Sequence, residues 1–211
     1  VMIDKLKKVI KWLKLIYNHS DENLPIYLDT ASTGLKLHIG SGPLNLQGWV
    51  NIDARKFSHI HICSEGFDLE EFVEHSISEI YMCHVLEHFS FEETKSILMN
   101  FRNKFKQGGM LRLSVPDFDK IVDIYESNNN DVDLIKYALM GGQDYNFNFH
   151  KSVYNKSTLS KILNECGYKE IKEWKTEEDF GDSIGDWSDG KIKTKKGDFP
   201  ISLNLIAQHN E

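Results

Sequence analysis

The sequence predicts an α/β fold with a mostly parallel seven-stranded sheet, helices on both faces and an antiparallel last strand. In the middle of the chain, short apolar runs mostly alternate with longer segments of helical periodicity. This alternation is typical of parallel strands joined by crossover helices. The last two strand-like runs are joined by a long charged loop and not by a helix, so they are expected to be antiparallel. The 211 residues, 40% of them hydrophobic, suit one globular domain.

Seven strands and three longer helices are predicted along the chain. The predicted strands are 35–39, 49–53, 59–63, 78–82, 110–115, 168–174 and 201–208. The predicted helices are 91–105, 118–140 with an interruption at 127–131, and 157–166, with a short helix at 68–73. The glycine pair at 108–109 is a common kind of helix stop. Residues 175–198 are expected to form a long hairpin loop.

The segment 1–34 is predicted to form an N-terminal helix and a lid-like loop ahead of the main domain 35–211. Apolar residues recur at helical spacing on one stripe of this helix. They are Ile3, Leu6, Ile10, Leu13 and Tyr17. Lysines cover much of the remaining surface. A helix that caps the core or the pocket is the favoured interpretation, and a homodimer contact or a membrane-surface contact stays open.

Charge and cysteine content exclude several classes of function. The net charge of −7 argues against general nucleic-acid binding, which usually needs a basic face. The three cysteines are an odd number without a C-x-x-C pair, which fits a reducing cytosol and predicts no disulfide framework or zinc knuckle. No apolar run reaches the length of a membrane span and no signal peptide is evident. We therefore expect a cytoplasmic protein without stable membrane insertion.

A cofactor pocket is predicted where the first two strands end. The first strand stops at Gly40-Ser41-Gly42, and the second stops at Asp53. Glycines at a strand end let the backbone pass close to a ligand, because a Cβ there would collide with it. An acid at the tip of the next strand can accept hydrogen bonds from both hydroxyls of a ribose. The pair predicts a cofactor of the adenosine type.

The spacing of this motif favours a cofactor without phosphates. A dinucleotide fingerprint is G-x-G-x-x-G opening a helix, with the acid about 20 residues further on. Here Asn45 takes the place of the third glycine, and Asp53 follows Gly40 by only thirteen residues. Pro43 and Gly48 leave little room for a helix whose N-terminus would bind a pyrophosphate. S-adenosylmethionine is therefore favoured over NAD or FAD.

Five segments in this order resemble one family. They are 37–42, 48–53, 79–88, 106–117 and 141–151. The chain resembles the class I S-adenosylmethionine-dependent methyltransferases, most of all a small bacterial branch like the type 11 enzymes, although Gln107 stands where that branch usually has proline. The resemblance implies a Rossmann-like seven-stranded fold. It also implies S-adenosylmethionine as cofactor and S-adenosylhomocysteine as product.

The motif and the resemblance together assign residues to cofactor binding. The expected contacts are Ile39, Gly40, Gly42, Asp53, Met82 and Cys83. The branch usually has an acid after the third strand near the adenine amino group. Glu65 and Asp68 are both candidates for that position.

Two histidines are the candidate catalytic residues. Histidine suits the role of a base because its pKa lies near neutrality. We expect His84 and His150 to face each other across the transferred methyl group, one as base and one as a hydrogen-bonding orienter. Asp117, Tyr145 and His88 are the candidate substrate-binding residues.

The spacing of His84, Glu87 and His88 also suits metal ligands, at i, i+3 and i+4 of a helical turn. The order is H-x-x-E-H and not the H-E-x-x-H of zinc hydrolases, so we expect no metal. The predicted activity is methyl transfer to a small metabolite, and the resemblance suggests a sugar or phospho-sugar precursor of surface polysaccharide. An inactive methyltransferase-like scaffold and a nicotinamide-dependent oxidoreductase remain the alternatives.

Overall fold

A seven-stranded sheet in the order β3-β2-β1-β4-β5-β9-β6 forms the centre of the molecule. The computed structural model describes residues 34–64 and 68–210. The strands are β1 Leu35–Ile39, β2 Val50–Asp53, β3 Ile62–Cys63, β4 Ile77–Cys83, β5 Phe105–Pro116, β6 Lys169–Glu173, β7 Lys191–Thr194, β8 Gly197–Pro200 and β9 Ser202–Gln208. The helices are α1 Phe91–Lys104, α2 Phe118–Ser127, α3 Val132–Met140, α4 Lys156–Glu165 and α5 Thr176–Phe180. The predicted N-terminal helix and almost all of the lid-like loop lie outside the described residues.

The sheet is parallel except at one strand. β1 pairs in parallel with β2 and β4, β2 with β3, and β4 with β5. β9 lies between β5 and β6 and is antiparallel to both. The predicted fold class is therefore confirmed, including the antiparallel last strand. β7 and β8 form a separate antiparallel hairpin.

Side-chain alternation gives the two faces of the sheet different chemistry. On one face, aliphatic side chains lie in register and pack against α1 and α4. They include Leu37, Ile80, Leu111 and Ala207 on the strands and Leu98, Phe101, Leu159 and Leu163 on the helices. On the other face, the row His38, Tyr81, Arg112 and Ile206 meets Trp49 and Trp174. The segment that contains α5 packs on this second face through Phe180.

Side-chain caps begin the four longer helices. The capping side chains accept a hydrogen bond from a backbone N–H of the first turn, which would otherwise have no partner. They are Ser90, Asp117, Asp131 and Asn155. Of the helices in the described residues, none is both long and apolar enough to span a bilayer.

Three details of the predicted elements are wrong. The third strand is confined to Ile62–Cys63, because a turn with a hydrogen bond from Ile60 N–H to the Phe57 carbonyl precedes it. Residues 68–73 form a turn and not a helix. The glycine pair does not end α1, which stops at Lys104, but lies inside β5 where its register with β4 shifts. A Cβ on Gly109 would lie 2.6 Å from the Phe105 ring, so the shift needs a glycine there.

Arg112 connects the second face of the sheet to α5. Its Nε lies 3.0 Å from the Glu79 carboxylate and its Nη1 lies 2.8 Å from that of Asp179, while the guanidinium stacks 4.9 Å from the Trp174 ring. Both Arg112 and Glu79 are buried. Glu79 has a further ion pair with Lys36 at the surface.

Arg112→Met should lower the free energy of unfolding by about 3 kcal/mol, because it leaves a buried carboxylate without its buried partner. Urea unfolding followed by tryptophan fluorescence measures the change. Lys175→Ala, which breaks an exposed ion pair with Glu178, is the control and should leave stability almost unchanged. Equal stability of Arg112→Met and wild type would show that the Arg112–Glu79 ion pair does not stabilise the fold.

Candidate functional site

A cavity of about 590 Å³ lies at the carboxyl ends of the parallel strands. This volume falls in the range of roughly 300–1,000 Å³ that is usual for ligand sites. The strand order reverses beside β1, which is the position where open α/β sheets bind ligands. Of the residues predicted to form the site, seven line the cavity. They are Gly40, Gly42, Cys83, His84, His88, Tyr145 and His150.

The glycine turn, residues 40–42, forms one wall of the cavity. The N–H groups of Gly40 and Ser41 both donate to the Ile52 carbonyl, at 2.8 and 3.1 Å. Gly40 has φ +68°, and a Cβ on it would lie 2.2 Å from a methyl group of Val85. The hydroxyl of Ser41 is buried and has no hydrogen-bond partner among the described residues. The turn therefore needs glycine at position 40 and leaves a polar atom at the cavity wall.

Asp53 ties the tip of β2 to this turn. One carboxylate oxygen accepts the Gly42 N–H at 2.7 Å, and the other accepts the Arg55 N–H at 2.8 Å and Arg55 Nε at 3.4 Å. Arg55 lines the cavity, with its guanidinium 4.6 Å from the Tyr145 ring centre and 5.1 Å from that of Phe57. Sequence reasoning missed Arg55. Its place two residues after the acid at the strand end is the signal that could have identified it.

His84 is held in one protonation state by its partners. The Ser202 hydroxyl lies 2.5 Å from the Trp187 carbonyl and 2.8 Å from His84 Nε2. Because the hydroxyl has one proton, which the carbonyl accepts, His84 Nε2–H donates to Ser202. Burial, with His150 and His88 nearby, lowers the pKa of His84 to about 3. The neutral ring therefore turns the lone pair of Nδ1 toward Glu87, whose Oε1 lies 3.5 Å away.

Glu87 lies between the two candidate catalytic histidines. Its Oε1 is 3.5 Å from His84 Nδ1 and 3.8 Å from His150 Nε2. Glu87 is 1% exposed, and both carboxylate oxygens lack a hydrogen-bond partner in the part of the chain that the structure describes. Burial raises the pKa of Glu87 to about 8. The Glu87 carbonyl accepts the N–H groups of Lys151 and Ser152, at 2.8 and 3.2 Å, which brings His150 to this position.

His88 and His150 complete the group. Their ring centres lie 4.9 Å apart in an edge-to-face arrangement. His88 Nδ1 lies 3.2 Å from the Phe149 carbonyl, to which it donates. Burial lowers the pKa of both rings, to about 4 for His150. His84 also has φ +51°, a strained conformation for a residue with a side chain, of a kind that clusters at functional sites.

Other predicted site residues do not reach the cavity with their side chains. Ile39 and Met82 pair in register, and both side chains lie in the aliphatic core on the α1 face. Asp117 caps α2 and lies 3.7 Å from Lys120. Asp68 is exposed, and its carbonyl accepts a hydrogen bond from an asparagine near the end of α1. Glu65 lies outside the described residues.

The segment 181–190 supplies cavity residues that sequence reasoning treated only as a loop. Asp186 and Trp187 line the cavity. The Asp186 carboxylate accepts the Tyr81 hydroxyl at 2.5 Å and caps the 3₁₀ turn Trp187–Asp189. A tryptophan among glycines and aspartates, as in 185–190, is the sequence signal for an ordered loop here.

No family model matches the chain, and no curated protein has a similar sequence. Solved structures do match. An S-adenosylmethionine-dependent methyltransferase from Archaeoglobus fulgidus has a TM-score of 0.51 at 15% identity, over 86% of this chain and 89% of that one. A possible histamine N-methyltransferase from Thermotoga maritima has a TM-score of 0.52 at 10% identity, over 96% of both chains.

A third structure is the 1,6-didemethyltoxoflavin-N1-methyltransferase of Burkholderia thailandensis, with 1,6-didemethyltoxoflavin and S-adenosylhomocysteine bound. Its TM-score is 0.51 at 9% identity, over 100% of this chain and 91% of that one.

Gly40→Ala should destabilise the protein more than Gly48→Ala, and the two variants form a matched pair. Both glycines have positive φ, which costs a residue with a side chain about 1–2 kcal/mol. The added Cβ meets Val85 at Gly40, while at Gly48 no atom of the described residues lies within 4 Å. We expect about 1–3 kcal/mol more for Gly40→Ala.

Thermal and urea unfolding of both variants test this difference. In a double-mutant cycle, Val85→Ala should recover part of the loss in Gly40→Ala. Equal losses at positions 40 and 48 would contradict the close contact between the glycine turn and Val85.

At these low identities the likeness to solved structures extends to the fold alone, and the chain has the Rossmann-like fold of the class I S-adenosylmethionine-dependent methyltransferases.

Proposed function

We propose that the protein is an S-adenosylmethionine-dependent methyltransferase that acts on a small molecule. The observation that carries this proposal is the cavity itself, which the glycine turn bounds on one side and His84, His88 and His150 on another. The fold it shares with known methyltransferases supports the same conclusion. A cofactor and an acceptor bound together in this cavity would lie next to each other, as methyl transfer requires.

The residues at the glycine turn fit the cofactor. Gly40 leaves no room for a side chain, and the unpartnered Ser41 hydroxyl is available to a polar ligand. Asp53 stands at the tip of β2, where an acid can accept ribose hydroxyls. Its contact with Arg55 Nε is the longest of its hydrogen bonds, at 3.4 Å, and the Arg55 side chain is 39% exposed. That contact can give way to a ribose hydroxyl at little cost.

The connection between β1 and β2 argues against the nicotinamide alternative. Residues 40–49, all of which the structure describes, contain turns and no helix. A dinucleotide needs a helix N-terminus at this position for its pyrophosphate. S-adenosylmethionine has no phosphate to place there.

Methyl transfer requires groups that position the acceptor and take up its proton, and we assign the cavity histidines to these roles. The cofactor would supply an electrophilic methyl group, and the chain must position an acceptor and accept its proton. His84 is neutral, and its donor is already used on Ser202. His84 and His150 both line the cavity, and we propose that one acts as the base and the other positions the acceptor.

The remaining walls suit a small acceptor with apolar surface. Leu134 and Tyr137 on α3, Ile192 on β7 and Trp187 contribute apolar area to the cavity. A sugar or phospho-sugar precursor remains the narrower hypothesis for the acceptor, on the resemblance alone.

Asp53→Ala should weaken binding of S-adenosylmethionine and S-adenosylhomocysteine tenfold to about a hundredfold, because hydrogen bonds to a charged group contribute about 1.5–3 kcal/mol. Isothermal titration calorimetry measures both affinities. Asp68→Ala is the matched control and should bind normally. Since Asp53 also holds the glycine turn, unfolding curves must accompany the titrations. Tight NAD binding, or normal cofactor affinity in a folded Asp53→Ala variant, would overturn the assignment.

His84→Gln should lower turnover by about a hundredfold or more while S-adenosylhomocysteine affinity stays the same. The assay measures S-adenosylhomocysteine release with a panel of sugars, nucleotide sugars and small phenols and amines as acceptors. An unchanged rate in His84→Gln would remove His84 as the base. Cofactor binding without turnover on any acceptor would favour the scaffold alternative.

A further inference from the structure

A group of metal-ligand side chains, one buried and two partly buried, lies at the cavity wall. Glu87, His88 and His150, here called the Glu87 cluster, offer ligand atoms that all lie within 4.8 Å of one another. The sequence led us to expect no metal. The arrangement of protons around the cluster supports a different conclusion.

The Glu87 carboxylate is buried without a donor. Its side chain is 1% exposed, and both oxygens lack a hydrogen-bond partner among the described residues. Among the described residues, side-chain nitrogens of His84 and His150 lie 3.5 and 3.8 Å from Oε1. A buried carboxylate in this state is strongly unfavourable unless a cation or a proton joins it.

Two of the neighbouring histidines, His84 and His88, do not supply that proton in their neutral forms. His84 Nε2–H donates to Ser202, so Nδ1 turns a lone pair toward Glu87. His88 Nδ1–H donates to the Phe149 carbonyl at 3.2 Å, so its Nε2 also bears a lone pair. Histidines that bind metals usually donate their other N–H to a backbone carbonyl in this way. The lone pairs of His84 Nδ1 and His88 Nε2 remain without a donor, and a metal cation is a partner that would satisfy both the carboxylate and the histidine ligands.

We propose that Glu87, His88 and His150 bind a divalent first-row transition metal ion in the wall of the cavity. Two imidazoles and one carboxylate are the ligands of several catalytic zinc sites and of the open three-ligand iron sites. Magnesium and calcium prefer oxygen ligands and fit this set less well. Metal–ligand bonds of about 2.0–2.2 Å place ligand atoms about 3–3.5 Å apart, so the cluster contracts slightly on binding.

The backbone already holds the ligands together. Glu87 and His88 belong to the 3₁₀ turn Leu86–His88, which directly follows β4 and its strained His84. The segment of His150 is attached to this turn through the N–H groups of Lys151 and Ser152, which donate to the Glu87 carbonyl. Little reorganisation is needed to close the site.

The position of the site indicates a class of acceptor. His88 and His150 both line the cavity, so an open coordination position would face a bound molecule. A metal ion there would bind an oxygen of the acceptor and lower the pKa of a hydroxyl. An acceptor with a hydroxyl group is therefore expected. This extension rests on the proposed function, whereas metal binding itself does not.

Metal titration of the full chain after treatment with a chelator tests the site without cofactor or acceptor. Zn²⁺ binding is followed by calorimetry, and Co²⁺ binding by its visible absorption, which reports nitrogen ligands. We expect one ion per chain with micromolar or tighter affinity, and a rise in Tm on addition of Zn²⁺. Glu87→Gln and His150→Gln should each weaken binding about a hundredfold.

His75→Gln is the matched control, because His75 contacts the Phe105 carbonyl at the amino ends of β4 and β5, and the substitution should leave metal affinity unchanged. Circular dichroism confirms that each variant is folded. The proposal is overturned if wild type binds no stoichiometric ion, or if folded Glu87→Gln binds the ion as tightly as wild type. Higher stability of Glu87→Gln without any metal binding in wild type would identify a protonated carboxyl instead. Titration with S-adenosylhomocysteine in a separate cell shows whether the proposed function stands independently.

Discussion

The antiparallel pairing of β9 with β5 is the constraint on which the rest of the site depends. Because the strands run in opposite directions, Ser202 at the start of β9 pairs with Pro116 at the carboxyl end of β5. The Asp117 N–H donates to the Ile201 carbonyl at 2.7 Å and fixes this register. The chain segment directly before β9 therefore lies beside the carboxyl ends of the parallel strands. The hairpin β7–β8 and Trp187 border the cavity for this reason.

The same constraint separates what the sequence could predict from what it could not. Gly40 and Asp53 each depend on the end of one strand, which apolar patterning and turn residues reveal. The state of His84 depends on Ser202, a residue 118 positions away that reaches it only through the antiparallel strand. Trp187 enters the site by the same route. The sequence at 185–190 signals an ordered loop, but the residues that this loop contacts depend on strand insertion and leave no local signal.

Side-chain alternation explains another part of the difference. Ile39 was expected to contact the cofactor through its backbone and Met82 through its place at the end of a strand, and neighbouring side chains on a strand point to opposite faces. Both lie in the core, while Cys83, one residue later, lines the cavity. The predicted third strand failed for a related reason. His59 lies outside the strand, and its ring donates a hydrogen bond to the Gly42 carbonyl at 3.1 Å. The alternation of apolar and polar residues cannot reveal this contact.

Asp53 and Glu87 show how one fold uses two buried carboxylates differently. Asp53 accepts backbone N–H groups of Gly42 and Arg55 and acts as a structural tie. Glu87 is held through its backbone carbonyl, and its carboxylate receives no donor from the described residues. A carboxylate with a purely structural role would be expected to have inward donors, as Asp53 does. The unsatisfied carboxylate of Glu87 therefore lowers the stability of the fold, as is common where a ligand or a proton completes a site.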